Sequence, residues 1–261
     1  MKYLENYTDH EGFIGHHDKH GSLTDFGDST QRTFSAVFLS HPKYSYVFDL
    51  VSLISKDEDD KYEPVRHWNK KKWFGQRGSM SRDNFTPLLI VCCTYGLFWA
   101  DSFMRTIFKR GGFLWNTVDI AGKKKPWYIP PDWIGCRNIA TYLRYKMLDS
   151  FVITALFYVP LMLLDIPFFL QCVLQVVKSF FEKPGKWNTT DDLNLGLECL
   201  YIRDNFPTPV SYLGELIYFF RRPAGDDNGR YDLPGPYSAW KSYFRHPTAP
   251  PMYEFERLKE I

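Results

Sequence analysis

Apolar residues in this chain recur at the three-and-four spacing of helices, and alternation at period two fails in every window longer than a short loop. That pattern predicts an all-α protein. With 261 residues, 44% of them hydrophobic, the chain has enough apolar surface to bury a sizeable core. Connections between the helical stretches are often short, so the helices are expected to stack as antiparallel pairs around one core. No repeat, low-complexity segment or linker marks a boundary, and residues 1–261 read as a single domain whose first 26 residues form an ordered arm or loop.

Start and stop signals place the helices. Asp28 followed by Gln31 has the spacing of a capping box, and a helix from there through Leu39 should stop at His41-Pro42. Tyr44 to Ile54 reads as a second helix, closed by Asp57-Glu58-Asp59-Asp60. After a connector over 61–80, Ser81-Arg82-Asp83-Asn84 should cap one long helix reaching about Lys109, stopped by Gly111-Gly112. Residues 122–136 form a Pro- and Trp-rich loop, followed by a helix near Arg137 to Ser150. Beyond the Pro184-Gly185 turn, Thr189 to Asp192 should cap a helix to about Asp204, and Pro207-Thr208-Pro209 should start another ending at Arg221-Arg222-Pro223. Two short helices, near 238–244 and 252–259, complete the chain.

The most apolar stretch, Phe151 to Phe181, is long enough to raise a membrane span or hairpin. Pro160 and Pro167 divide it, and Asp165 would sit charged among leucines, so the expectation is a central helix pair buried on all sides of a soluble protein, with membrane contact disfavoured. The first ten residues lack a secretory h-region, so the chain is expected to work in the cytoplasm of the producing cell or to leave it by another route. Five Cys without a CxxC pair, all in apolar surroundings, read as reduced core residues.

A net charge of +2 excludes the strongly basic surface of a dedicated nucleic-acid binder. Walker, GxGxxG, GxSxG and HExxH motifs are all missing, and no cofactor is expected. His10, His16, His17, Asp18 and His20 lie among glycines that argue against a metal-holding helix, so they read as a solvated arm with no metal. Lys70 to Lys72 and Lys123 to Lys125 read as solvated loops.

What stands out is where the polar residues cluster. Asp28 and Arg32, Arg82 and Asp83, and Asp191 with Asp192 all sit at helix starts, and Arg66-His67 lies in the connector feeding the third helix. If alternate helices begin on one side, their positive ends gather these groups in a basin suited to anionic or polar ligands. Asp28 with Asp83 or Asp191 then supplies the paired carboxylates of glycoside hydrolysis. Alternatively, His67 or a Tyr abstracts a proton beside a uronate neutralised by Arg32, Arg66 and Arg82, which is lyase chemistry. Trp68, Trp73, Trp127 and Trp133 lie in loops where their faces could stack on sugar rings, with Trp68 and Trp73 nearest the basin. Capping alone also explains Asp28, Ser81 and Asp191, and loop Trp also serve as structural plugs.

The segments Gly27-Asp28-Ser29-Thr30-Gln31-Arg32 and Ser81-Arg82-Asp83-Asn84, the Arg66-His67 element between them and the Pro207-Thr208-Pro209-Val210-Ser211 start resemble helical proteins of bacteriophages and bacteria. Through their helix-start polar residues, those are similar in turn to α/α-toroid glycosidases and polysaccharide lyases. The resemblance implies an incomplete α/α-toroid-like array, since the chain is short for six helix pairs, and a polysaccharide as partner. It equally admits a non-enzymatic virion or accessory protein, partnered by other phage proteins and holding these residues as a buried structural network. Anchoring to a membrane through 151–181 is a third reading.

Overall fold

A computed structural model describes residues 8–17, 22–56, 62–181 and 189–213. It is mostly helical, as the periodicity requires, with only short strands. Where the sequence shows no boundary, the chain divides into two compact units between Gly135 and Cys136.

The first unit holds helices α1 (Ser29–Ser40), α2 (Tyr44–Ile54), α3 (Arg82–Thr94) and α4 (Trp99–Lys109). Two small antiparallel ladders accompany them: β1 (His16–His17) with β2 (Leu23–Asp25), and β3 (Ser55–Lys56) with β4 (Glu63–Pro64). Two or three residues per strand give no alternation to read, which is why the sequence did not signal them. α1 is buried almost throughout, polar residues included, and packs along α3. Their N-termini are neighbours, because the Gln31 amide donates to Asn84 Oδ1 at 3.2 Å. Phe34 and Val37 of α1, Leu50 and Val51 of α2, Phe85 and Leu89 of α3, and Phe103 and Met104 of α4 form the core with the fully buried Trp115.

Helix ends follow backbone chemistry more closely than the capping pattern. Asp28 occupies the cap position of α1, and Ser81 that of α3, but neither side chain makes a capping bond. α1 stops at His41, in the left-handed region with φ 48°, followed by Pro42. The expected long helix over 81–109 is two helices. Gly96, at φ 61°, gives α3 a Schellman end in which the Gly96 and Leu97 amides donate to the carbonyls of Cys93 and Cys92. Gly111 and Gly112 end α4 in the same way, as the sequence predicts.

The second unit holds α5 (Cys136–Leu148), α6 (Phe151–Leu156), α7 (Tyr158–Leu163), α8 (Ile166–Phe181) and α9 (Thr189–Asn205). Arg144 of α5 is fully buried; its guanidinium pairs with the Asp165 carboxylate and donates to the Leu161 carbonyl at 3.0 Å. Arg137 pairs with the buried Glu198 of α9 at 3.2 Å. Charge inside the unit therefore ties α5 to the α7–α8 junction and to α9. The run from 151 to 181 corrects the expectation of a helix pair buried on all sides, since most of its large apolar side chains are exposed. Cys136 departs from the expected core thiols as well: it is exposed, whereas Cys92, Cys93, Cys172 and Cys199 are buried, and all five are reduced. The Pro184-Gly185 turn, the later part of the helix expected from Pro207 and the two C-terminal helices lie outside the described residues.

Candidate functional site

The adjoining N-termini of α1 and α3 carry the polar cluster of the first unit. Asp28 follows an Asx turn in which Asp25 Oδ1 accepts the Gly27 amide at 2.9 Å. Its carboxylate meets Arg32 at 3.6 Å, one helical turn on, and Arg66 at 3.7 Å, and it accepts from Asn84 Nδ2 at 3.4 Å. The two guanidinium side chains are buried or nearly so, whereas the Asp28 side chain is 48% exposed. The carboxylate thus faces solvent with the cations behind it.

Arg66 is the hub. It donates from Nε to the Ser79 carbonyl at 2.5 Å and from Nη1 to the Gly27 carbonyl at 2.9 Å, while its guanidinium lies over the Trp73 ring at 5.0 Å. Its own carbonyl accepts the Thr30 hydroxyl at 2.6 Å, tying the connector to α1. Burial lowers the Arg66 pKa, and the fields of Asp28, Asp83, Asp132 and Asp25 oppose that shift. Of these carboxylates, Asp28 stands at ion-pair distance from the desolvated guanidinium.

Asp132, which sequence reasoning passed over, arrives from the loop after α4. It accepts the Arg82 amide at 3.3 Å, satisfying the α3 N-terminus where Ser81 does not, and it accepts Asn116 Nδ2 at 3.0 Å. Lys125 donates to Asn116 at 2.8 Å, and the Leu114 amide donates to the Asp132 carbonyl at 2.7 Å. The same loop displays Trp133, which is partly exposed, and Trp127, which is 94% exposed. Arg82 itself is exposed, with its aliphatic stem beside Gly135.

The neighbouring residues His67 and Trp68 face elsewhere. His67 is buried among Phe13, Phe26 and Phe74. Its Nδ1 accepts the Asn69 amide at 3.2 Å, so the ring proton sits on Nε2, which donates to Asp9 Oδ2 at 2.7 Å. Trp68 Nε1 donates to the same oxygen at 2.5 Å, while Asp9 Oδ1 accepts the amides of Glu11 and Phe13. Burial raises the Asp9 pKa, but the bonds from His67, Phe13 and Trp68 outweigh it and hold the carboxyl below its usual range. Burial, reinforced by the Asp9 charge, pushes the nearby Tyr46 phenol up to about 12. Both ring nitrogens of His67 are thus engaged, one by Asp9 and one by the Asn69 amide, and the Trp68 indole shares the Asp9 carboxylate.

The sequence-predicted residues therefore separate into three groups. Asp28, Arg32, Arg66 and Trp73 share one site, and Asp83 lies in the field of its Arg66; Arg82 borders it through Asp132. His67 and Trp68 belong to the Asp9 network. Asp191 lies in the first turn of α9 in the second unit, and its side chain is outside the described residues, as are those of His16, His17, Asp18 and His20. Among the described residues no group of three or more His, Cys, Asp or Glu is placed to hold a metal. Comparison of the chain with known protein families, curated proteins and solved structures finds no match.

Proposed function

We propose that the first unit is a carbohydrate-active module that hydrolyses a glycosidic bond, with Asp28 and Asp83 as its pair of carboxylates. The observation that carries this reading is the half-exposed Asp28 carboxylate backed by Arg32 and Arg66 at the adjoining starts of α1 and α3, with Asp83 in the first turn of α3. In the proposed roles, Asp28, ion-paired on its inner side, is the nucleophile or base, and Asp83 is the acid that protonates the leaving oxygen. Trp73 and Trp133 offer ring faces for sugar stacking. Hydrolysis is preferred to elimination because His67, the only imidazole beside the cluster in sequence, is committed to Asp9 and Asn69. The side-by-side start of α1 and α3 fits alternate helices of an incomplete α/α-toroid-like array of antiparallel pairs, and this arrangement is part of the proposal.

A second reading is a non-enzymatic phage virion or accessory protein. It is favoured by one observation: Arg66 spends two donors on the carbonyls of Gly27 and Ser79, as a structural cross-link would. Incubating the full chain with neutral and acidic polysaccharides separates the readings. Hydrolysis yields new reducing ends without unsaturated-uronate absorbance. Elimination yields both, and a structural cluster yields neither.

A further inference from the structure

The second unit carries its polarity inside out. Along α7 and α8 the stripe turned into the unit is Leu161, Asp165, Phe168, Cys172 and Gln175, at spacings of three and four, while α6 buries no residue. Positions between these carry aliphatic and aromatic side chains outward, among them Phe151 at 86% exposure, Leu156 at 73%, Val159, Leu170 and Leu174. Between Phe151 and Val177 the only charged residue is Asp165, and it is buried against Arg144. A helix on the surface of a water-soluble protein has the opposite order, with its polar face outward. Ionisable groups turned inward and apolar groups turned outward are the arrangement of protein in lipid.

We infer that the outward face of α6–α8 inserts into the hydrocarbon of a lipid bilayer and anchors the second unit along one leaflet. Tyr158–Val177 is long and apolar enough to reach across a membrane, yet only 28% of it is buried in protein, unlike a core helix of the same composition. The turn at Leu164–Asp165 and the 16 residues of α8, about 24 Å of helix against ~30 Å of hydrocarbon, make it an in-plane anchor and not a straight span. The Thr154 hydroxyl within this layer donates to the Ser150 carbonyl at 3.0 Å, so it does not enter lipid unsatisfied. A second protein copy matches the face less well. Protein interfaces carry a polar rim, whereas here the adjoining charges in sequence, Asp149 and Lys178, come only at the two ends of the run.

The anchor does not depend on the carbohydrate reading, and vesicle flotation tests it alone. Full-length protein is mixed with vesicles of phosphatidylcholine only and floated through a density gradient at low salt and at about 1 M NaCl, where charge attraction is screened. Wild type is expected to float in both. The triple substitution L156E/L170E/L174E, confined to exposed positions, should keep its helical circular dichroism and lose flotation about tenfold or more. Wild type that stays below the vesicles as a detergent-free monomer overturns the inference. So does a dimer in solution that the triple substitution dissociates, or a folded triple variant that floats as well as wild type.

Discussion

In the first unit, buried aromatic and aliphatic side chains lie beneath a half-exposed Asp28 carboxylate backed by two buried Arg. In the second, a buried Arg and Asp lie beneath an exposed layer of Phe, Leu, Ile and Val. Both units are helical and both bury guanidinium groups, so helix content does not distinguish them. The difference lies in what each buried cation faces. Arg66 points toward the Asp28 carboxylate, which reaches solvent. Arg144 points toward one carboxylate sealed inside, where the pair can only hold helices together. The same ion-pair chemistry thus leaves a carboxylate open to solvent in one unit and seals one inside the other.

The comparison breaks first at Arg144. Arg144→Met should destabilise the second unit by about 3–5 kcal/mol, because Asp165 is left charged and buried. The double variant Arg144→Met/Asp165→Leu should recover most of that loss. Thermal unfolding in mild detergent checks both. Equal losses for the single and double variants would show that the pair does more than neutralise itself.

In the first unit, Asp9→Asn should cost about 2–3 kcal/mol, since one carboxylate there accepts bonds from His67, Trp68, Glu11 and Phe13. Its folded pKa is lowered, so its stabilising contribution is complete above the ordinary carboxylate value. That contribution is lost as pH falls below about 4 and through the lowered value. A melting series over that range should show the acid-side loss in wild type and a much flatter profile in Asp9→Asn.

Much of this architecture could be read in the sequence. Asp28, Arg32 and Arg66 come together where α1 and α3 begin side by side, and helix-start polarity is a local signal. Asp9 and Asp132 were not legible, because each acts through contacts 50 or more residues away in the chain, a separation that no spacing rule reaches. The break at Gly96 was missed because an isolated glycine is tolerated inside an apolar helix, and only its positive φ reveals the stop. The exposed layer of 151–181 was misread as core because composition records how apolar a run is and not which way it faces.

Smaller effects sharpen the contrast. Gly96→Ala should cost about 1 kcal/mol through its left-handed backbone alone, since nothing within 4 Å would meet a Cβ there. Leu170→Glu, at an exposed position, should change the unfolding free energy in detergent-free buffer by no more than about 0.5 kcal/mol, because it removes no internal contact.

The proposed hydrolysis requires Asp28 and Asp83 to work as a pair at the joined helix starts. Turnover of a polysaccharide substrate by folded wild type, Asp28→Asn and Asp83→Asn, followed as reducing ends released, tests it directly. Loss of about a hundredfold or more in each variant, with unchanged circular dichroism, is the expected result. Turnover that survives both substitutions, or that no polysaccharide elicits from wild type, contradicts it.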